Sequence, residues 1–401
     1  MRHETQVQLL RRFFEMRREH TTTLGADPYV ESASVYTDPE RARLELERIF
    51  RRRPLLVALS SDLPDIGSYS AIDCAGLPAL LVRSEDGLVR GFVNICRHRG
   101  GRVASGQGRT DRALKCPYHS WAYDLDGMLL GQPLARHGFD GLDRCEFGLL
   151  PLSVAERYGL VYLSAEAERA IDVEAELHGL GPELGEFALD DYVPFAQRSG
   201  VFDANWKLLY DTFLESYHIF SLHRDSIAGQ LLSTPLVSDL FGPHGRAAVM
   251  TRDVGGLLER EEADWDLRRH CTVVYTIYPS MLLNFPSSGH LDRWEIYPEP
   301  GSPDRARATF TLYAPKARLH ETAFWEANVA FTERVVFGED FAQQQDIHRS
   351  LRCGRLPGVV FGRNEPVLTH HHVVTEAALQ DASLPAAAGR SARREQARST
   401  P

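Results

Sequence analysis

Short runs of alternating hydrophobic and polar residues, separated by tight turns, dominate the chain between residues 54 and 165. The runs 79–83 and 88–95 flank a turn that ends in Gly87, and a second pair of runs flanks a turn at Gly127. Acidic residues followed by glycine between such runs are typical of β-hairpins. The pattern therefore predicts a small all-β domain over 54–165.

The pattern changes after residue 165. Residues 166–189 are charged with helical spacing and are interrupted by glycine and proline, which indicates a connector. Three strand-like runs follow further on, at 272–285, 290–297 and 306–313. A helical pattern then covers residues 321–351. Antiparallel strands closed against long helices predict an α+β domain over residues 166–380 that can enclose a pocket.

The two ends of the chain differ from these domains. Residues 1–53 are predicted to form a helical segment that packs on the α+β domain, because Val7, Leu10 and Phe13 recur at helical spacing among charged residues. The acidic residues in this segment argue against a signal or transit peptide. The segment 381–401 is rich in Ala, Ser and Arg, and this composition predicts disorder.

Composition and charge exclude several classes of function. The chain has 401 residues, of which 43% are hydrophobic, so it can bury the cores of two ordinary domains. A formal net charge of −10 gives no basic field, so nucleic acid is not a predicted partner. No run of about 18 apolar residues is present, and no membrane span is expected. Six scattered cysteines without a secretory signal predict a reducing, cytoplasmic compartment.

Two of the cysteines belong to a pair of mixed cysteine–histidine motifs in the β domain. The first motif contains Cys96 and His98, and the second contains Cys116 and His119. A structural zinc site usually takes paired ligands of one type from each loop. One thiolate and one imidazole per loop instead favour a two-iron, two-sulfur cluster of Rieske type, with both cysteines on one iron and both histidines on the other. A zinc knuckle is the alternative. The remaining cysteines, which we predict to be core thiols, are Cys74, Cys145, Cys271 and Cys353.

A second group of candidate ligands lies in the α+β domain, in a predicted helix that extends through Tyr217. Asp211 and Glu215 share a helical face with His218, and both are candidate catalytic residues. His223 lies five residues after His218 and would point away from it on a regular helix. Joint metal binding by the two histidines therefore requires the helix to loosen or end between them.

Two imidazoles and one carboxylate form a facial triad for ferrous iron, which leaves open positions for dioxygen. Asp340, in the helix predicted over 321–351, is the best candidate for the carboxylate. Glu339 and Asp346 are the alternatives. Each of these residues alone would more often be an ordinary surface or core residue.

Together these features resemble the large (alpha) subunit of Rieske non-haem iron oxygenases, the aromatic ring-hydroxylating and demethylating family, from about residue 38 to 379. The resemblance implies an N-terminal all-β Rieske domain and a C-terminal helix-grip (START-like) domain with an antiparallel sheet and long helices. It implies that a [2Fe-2S] cluster and a mononuclear Fe(II) are cofactors and that O2 is a co-substrate. The implied cluster ligands are Cys96, His98, Cys116 and His119, and the implied ligands of the single iron are His218, His223 and Asp340.

The resemblance also implies partners and a reaction. Electrons would come from a separate NAD(P)H-dependent reductase, in some systems through a ferredoxin, and no dinucleotide-binding fingerprint is evident in this chain. The family assembles head to tail as a homotrimer, in which Glu215 would bond both His218 and His119 of a neighbouring chain. A small organic substrate, expected to be aromatic, would be hydroxylated or oxidatively demethylated. A Rieske electron carrier and a zinc-containing ligand-binding module are the rival functions.

Three positions depart from the common family pattern. Many members have glycine where Ser120 stands and asparagine where Thr212 stands, and ring dioxygenases often have aspartate where Glu215 stands. Glutamate there is closer to the subgroup that acts on quaternary amines. The side chains that we expect to form the walls of the substrate pocket are Leu208, Phe213, Leu231, Leu232, Tyr278, Leu283, Phe285 and Trp294.

Overall fold

The N-terminal segment packs on the second half of the chain. A computed structural model describes residues 1–380, so the predicted disorder of 381–401 lies outside the described residues. The segment contains α1 (His3–Arg18), β1 (Tyr29–Ser32) and α2 (Pro39–Glu45). Val7, Leu10 and Phe13 are buried on one face of α1 in a cluster shared with the second half of the chain. Their helical spacing gives α1 the apolar face that docks there.

The next segment consists mainly of short strands. Its elements are β2 (Leu55–Leu59), β3 (Ser68–Cys74), β4 (Leu77–Arg83), β5 (Val89–Val93), β6 (Gln107–Arg109), β7 (Leu114–Lys115), β8 (Ala122–Tyr123), β9 (Leu129–Gly131), α3 (Ala135–Gly138), β10 (Pro151–Arg157) and β11 (Leu160–Ser164). Seven strands form one antiparallel sheet in the order β2-β11-β10-β5-β4-β3-β6, and β7, β8 and β9 form a small second sheet. The turns at Gly87 and Gly127 join paired strands, which confirms both predicted hairpins.

The connector contains two short helices, α4 (Val173–Glu176) and α5 (Gly181–Gly185). Asp172 caps α4, because its carboxylate accepts the backbone N–H of Glu174 at 3.0 Å. Leu177, Leu180 and Leu184 are fully buried. The connector is therefore part of the packed core and holds the two sheets in one body.

The second half of the chain is built on one large sheet. Its elements are β12 (Tyr192–Phe202), α6 (Trp206–Asp211), β13 (Leu231–Phe241), β14 (His244–Thr251), β15 (Cys271–Ile277), β16 (Met281–Phe285), β17 (Leu291–Pro298), β18 (Ala306–Pro315), α7 (Thr322–Thr332), α8 (Phe341–Leu351), β19 (Gly358–Phe361) and α9 (Pro366–Gln380). Seven antiparallel strands pair in the order β12-β18-β17-β16-β15-β14-β13. A π-helical segment, Glu333–Asp340, joins α7 to α8, so the helical pattern predicted over 321–351 is confirmed.

Aromatic side chains hold this long helix against the sheet. Trp294 of β17 stacks on Phe310 of β18, with ring centroids 4.8 Å apart. Phe337 and Phe341 of the helix contact the Trp294 ring edge-on at 5.6 and 5.9 Å. Such pairs add to the stabilisation that burial of the rings provides. The helix is thereby fixed over the face of the sheet that carries Trp294.

The structure corrects two predictions of secondary structure and adds one hairpin that was not predicted. The run 272–285 is two strands, β15 and β16, because Pro279 in the turn between them has no N–H to donate to a ladder. The hairpin of β13 and β14 was not predicted, since Pro235 breaks the alternation of β13. The helix predicted through Tyr217 is wrong, because α6 ends at Asp211 and a separate 3-10 turn, Tyr217–Phe220, follows.

The cysteine prediction is correct for half of the four. Cys74 and Cys271 are buried thiols, but Cys145 and Cys353 are exposed, so the core assignment is wrong for these two. Within residues 1–380 no helix combines the length and the apolarity that a bilayer crossing requires.

A buried ion pair fixes α6 to the N-terminal segment. Asn205 caps α6 by accepting the Lys207 backbone N–H at 3.1 Å. The Lys207 ammonium donates to both oxygens of Glu45 at 2.7 Å, and the indole N–H of Trp206 donates to the same carboxylate at 2.8 Å. Burial lowers the pKa of Lys207, and the facing Glu45 opposes that shift. This pair sets the position of the chain just before the candidate ligands.

Candidate metal centres

The two cysteine–histidine motifs lie in loops at 94–106 and 116–121, between strands of the β domain. Each loop is closed by its own backbone: Cys96 N–H donates to Gly101 O at 2.7 Å and Cys116 N–H donates to Trp121 O at 2.9 Å. Both thiols are buried. The closed loops therefore hold the sulfur atoms inside the domain.

The imidazoles of His98 and His119 complete this group. Their ring centroids are 4.6 Å apart at an interplanar angle of 72°. The His98 ring stacks on Trp121, with centroids 5.0 Å apart, and in the described residues its buried Nδ1 has no hydrogen-bond partner. A buried ring nitrogen without a partner, beside a second imidazole and two thiols, fits a metal ligand. These four residues would hold a two-iron, two-sulfur cluster.

Ser120, directly after the second motif, has a left-handed backbone with φ +58°. Glycine adopts this conformation without steric cost, whereas serine is strained in it. The Ser120 N–H still donates to Cys116 O at 2.9 Å. The preference for glycine at this position thus follows from the turn, and serine retains the loop.

Among the described residues, Tyr123 has the only buried hydroxyl that lies within hydrogen-bond distance of a candidate cluster sulfur. Its oxygen accepts the Arg97 N–H at 3.0 Å and lies 3.3 Å from Cys96 Sγ, so the hydroxyl would donate to this sulfur when Cys96 is a thiolate ligand of the cluster. A hydrogen bond to a cluster sulfur stabilises the reduced, more negative state.

We expect Tyr123→Phe to lower the reduction potential of the cluster. Loss of about 1 kcal/mol of stabilisation of the reduced state corresponds to about 40 mV for one electron. Protein-film voltammetry measures the shift. Tyr118→Phe removes an exposed hydroxyl from the loop 116–121 and should leave the potential unchanged. An unshifted potential in Tyr123→Phe would contradict the role of this hydroxyl.

The second centre lies in the second half of the chain, where two imidazoles converge on one carboxylate. The Nε2 atom of His223 is 2.9 Å from Asp340 Oδ1, and the Nε2 atom of His218 is 3.6 Å from the same oxygen. One ligand atom from each residue lies within 4.8 Å of the others. The histidines come together because the chain leaves the helical path between Asp211 and His223. This arrangement fits a two-histidine, one-carboxylate triad for ferrous iron.

Carboxylates bind the opposite nitrogen of each imidazole. Glu215 Oε1 binds His218 Nδ1, and Glu339 Oε2 lies 2.7 Å from His223 Nδ1. If each Nδ1 carries the proton, each Nε2 presents a lone pair towards Asp340. Hydrogen bonds from His223 and Ser226 lower the pKa of Glu339 against the effect of burial. The site therefore holds both rings in the orientation that metal binding needs.

Asp340 is the last residue of the π-helical segment, and its side chain is buried. Wide helical turns of this type are frequently found at functional sites. The Thr212 hydroxyl lies 3.5 Å from Asp340 Oδ1, and the Gln344 amide lies 3.4 Å from that hydroxyl. Thr212 thus contacts the triad through its carboxylate.

The other predicted site residue, Asp211, lies apart from the triad. Its carboxylate accepts a hydrogen bond from Tyr36 at 2.9 Å and lies 3.1 Å from His372 Nε2, in a buried network. The sequence offered Glu339 only as an alternative ligand, and it gave no signal for Ser226, whose hydroxyl donates to Glu339 at 2.7 Å. These contacts depend on the spatial approach of two distant segments.

A cavity of about 550 Å³ adjoins the triad and extends between the sheet and the long helix. Of the predicted wall residues, Phe213, Leu231 and Trp294 line it. The other predicted wall residues do not line this cavity, so these predictions are wrong: Leu208, Leu232, Tyr278, Leu283 and Phe285.

Family models match both halves of the chain. A model of the Rieske [2Fe-2S] domain matches residues 53–145, and a model of the ring-hydroxylating alpha subunit catalytic domain matches residues 189–381. The chain joins a Rieske domain to a ring-hydroxylating alpha subunit catalytic domain. These matches confirm the predicted pair of domains and the fold class, and they imply a Rieske cluster in the first domain and a mononuclear iron in the second.

Two curated relatives illustrate the range of this family. The chain is 31% identical over 233 residues to the glycine betaine monooxygenase oxygenase subunit of Chromohalobacter salexigens. The aligned region covers 58% of this chain and 49% of that relative. It is 31% identical over 220 residues to the biphenyl dioxygenase subunit alpha of Metapseudomonas furukawaii. That alignment covers 51% of this chain and 47% of the relative. The chain thus spans about half the length of these relatives.

The fold of the two domains is also found in solved structures. A quaternary ammonium Rieske monooxygenase in complex with L-carnitine superposes with a TM-score of 0.74 at 21% identity, covering 87% of this chain and 96% of the other. This likeness supports the arrangement of a Rieske domain and a catalytic domain in one chain.

Proposed function

We propose that this chain is the oxygenase component of a Rieske non-haem iron oxygenase. It would use O2 and external electrons to hydroxylate a small organic substrate or to demethylate it oxidatively. The observation that carries the proposal is the convergence of His218, His223 and Asp340 beside a cavity, in a chain that also holds two cysteine–histidine loops. A Rieske electron carrier would have no use for the triad or the cavity.

The proposed roles of the side chains follow from their contacts. Cys96, Cys116, His98 and His119 would hold the cluster, and the triad would hold the single iron. When bound, the cluster supplies electrons one at a time and the ferrous ion activates dioxygen. Glu215 and Glu339 orient the two imidazoles. Insertion of one oxygen atom into a C–H bond consumes one O2, two electrons and two protons and releases water. When the hydroxylated carbon is an N-methyl group, its C–N bond then breaks, which releases formaldehyde and the demethylated amine.

We further propose that the chain works as a homotrimer with a separate NAD(P)H-dependent reductase, with or without a ferredoxin. Tyr217 and Phe220 support an interface beside the triad, because both are more than two-thirds exposed next to His218. Large apolar side chains exposed together often mark a contact surface. Light scattering of the purified protein tests the trimer, and a cytoplasmic location agrees with the reduced thiols that cluster assembly needs.

We propose domain boundaries at residues 53, 165 and 380. The strand β11 ends the first large sheet at Ser164, and β12 begins the second at Tyr192. Limited proteolysis followed by mass spectrometry of the stable fragments tests this division.

Iron content and oxygen consumption test the oxygenase proposal. Anaerobically prepared protein should contain three irons per chain, whereas a Rieske electron carrier contains two. With a surrogate reductase, a substrate panel should produce oxygen uptake coupled to product. A zinc-containing binding module would give no electron paramagnetic resonance signal after reduction with dithionite. Two irons per chain that cannot be raised to three by reconstitution would refute the oxygenase function.

We expect Glu215→Gln to reduce turnover about 10- to 100-fold while the iron content stays at three per chain. The substitution keeps an acceptor near His218 Nδ1 but removes the negative charge that orients and tunes the ring. Steady-state oxygen uptake and metal analysis measure the two quantities. Glu326→Gln on the exposed face of α7 is the matched control. Unchanged turnover in Glu215→Gln would contradict the proposed role.

A further inference from the structure

A polar patch interrupts the wall of the cavity on β16 and β17. The strand register places Asn284 opposite Asp292, and Val274 of β15 pairs with Asn284 on its other side. Because side chains alternate across a strand, Asp292 and Trp294 face the same side of β17. All four of these side chains line the cavity beside the triad.

The hydrogen bonds of this patch are incomplete. The Asn284 amide donates to Asp292 Oδ2 at 3.1 Å, and because a carboxylate can only accept, this contact fixes the amide with its oxygen turned away. His290 Nε2 lies 3.1 Å from Asp292 Oδ1, but the two atoms lack the alignment that a hydrogen bond needs. In the part of the chain that the structure describes, three buried atoms have no partner: Asn284 Oδ1, His290 Nε2 and Asp292 Oδ1.

The charge of the patch is also uncompensated by the protein's permanent cations. Asp292 and His290 are each 3% exposed, so solvent does little to screen them. His290 Nδ1 is bonded to the Ser288 hydroxyl at 2.9 Å. Over residues 1–380, no Lys or Arg makes an ion pair with Asp292. A buried polar atom without a partner is costly, so a ligand that donates a hydrogen bond to these oxygens is favoured over one that cannot.

The rest of the cavity near the patch is aromatic and apolar. Trp294 is two residues from Asp292 on the same face, and Phe213, Phe324 and Phe331 contribute further rings. Aromatic faces attract cations, and they also pack well against an apolar ligand body. The cavity thus has two acceptor oxygens buried in its wall, beside aromatic rings that tolerate a positive charge.

We infer that the substrate of this chain carries a protonated amine with at least one N–H, which binds Asp292 and Asn284 while its apolar or aromatic body lies along Trp294. This inference rests on the proposed oxygenase function and names the substrate class of that site. The two acceptors need a donor hydrogen, so a quaternary ammonium, which has none, satisfies the charge but leaves Asn284 Oδ1 unpaired. A tertiary ammonium can donate its one N–H to Asn284 Oδ1 while its charge lies against Asp292, and secondary and primary ammonium groups can donate to both oxygens.

Three probes of similar shape separate these possibilities. N,N-dimethylbenzylammonium carries one N–H, benzyltrimethylammonium carries the charge without N–H, and isobutylbenzene carries neither. Calorimetry with the iron-loaded full chain under anaerobic conditions measures binding without turnover. We expect the tertiary ammonium to bind about 10- to 100-fold more tightly than isobutylbenzene and about tenfold more tightly than the quaternary ammonium. Equal binding of the three probes, a quaternary ammonium that binds as tightly as the tertiary one, or no binding of the tertiary ammonium would overturn the inference.

Variants locate the effect at the patch. Asp292→Asn removes the charge at constant size and should reduce the preference for the tertiary ammonium over isobutylbenzene to less than about threefold. Asn284→Ala should remove the preference of the tertiary over the quaternary ammonium and retain the preference for charge. Thr322→Val, at an exposed position of α7 that does not line the cavity, should bind like the wild type. If both patch variants keep the wild-type preference for the tertiary ammonium, the assignment of the amine site to Asp292 and Asn284 is overturned.

The outcome is separable from that of the proposed function. A chain with three irons and substrate-coupled oxygen uptake that shows no preference for N–H donors would be an oxygenase of a different substrate class. A chain with two irons that still prefers the tertiary ammonium would bind amines without the proposed chemistry.

Discussion

Asp340→Ala should abolish the mononuclear iron and reduce turnover by at least about 100-fold, while the visible spectrum of the cluster stays intact. The expected loss exceeds the 10- to 100-fold that is typical of residues behind the metal ligands, because Asp340 supplies the carboxylate itself. Its Oδ1 lies 2.9 Å from His223 Nε2 and 3.6 Å from His218 Nε2, so no anionic oxygen would remain between the two rings. Metal analysis, absorption spectra and oxygen uptake measure the three quantities.

Two further variants make this result specific. Asp346→Ala removes an exposed carboxylate that pairs only with Arg349 in the described chain, and it should leave iron content and turnover unchanged. Glu339→Ala should give an intermediate loss, because it removes the hydrogen bond to His223 Nδ1 and leaves the triad. Full turnover in Asp340→Ala, together with loss of iron in either of the other variants, would move the ligand assignment to that residue.

Lys207→Met should lower the free energy of unfolding by about 3–5 kcal/mol, the usual cost of removing one partner from a buried ion pair. Methionine fills a similar volume but leaves the Glu45 carboxylate, 1% exposed, without its ammonium. Urea denaturation followed by tryptophan fluorescence measures the change, since Trp206 adjoins the pair.

Two further variants test whether the loss of stability comes from the buried pair. Arg349→Met breaks an exposed pair with Asp346 and should change the free energy of unfolding by less than about 0.5 kcal/mol. The double variant Lys207→Met with Glu45→Gln should recover much of the loss, because a neutral amide can still accept from the Trp206 indole. A small effect of Lys207→Met would mean that water or Arg41 compensates Glu45.

The sequence predicted the residue types of both centres better than their surroundings. Mixed cysteine–histidine loops and two histidines near a distant aspartate are chemical patterns, and chemistry restricts which side chains can serve. The separation of His218 and His223 also predicted that the helix could not be regular there. It did not predict that α6 already ends at Asp211, because the residues after it form turns stabilised by the tertiary structure.

The supporting contacts were not predictable because they depend on register and on the approach of distant segments. Asn284 and Asp292 are eight residues apart in sequence, and only the pairing of β16 with β17 brings them face to face. Glu339 precedes Asp340 directly, yet the π-helical segment lets both contact His223 from opposite sides of its ring. The strand β13 was not predicted because it contains Pro235, and a proline inside an alternating run argues against a strand.

The buried network at Asp211 has a consequence for the order in which the protein is made. Tyr36, close to the start of the chain, and His372, 336 residues later, meet at the Asp211 carboxylate just ahead of the ligand histidines. During translation the network cannot form until His372 has left the ribosome, long after Tyr36 has been synthesised. The anchoring of α6 by this network is therefore completed only after α9 has been synthesised.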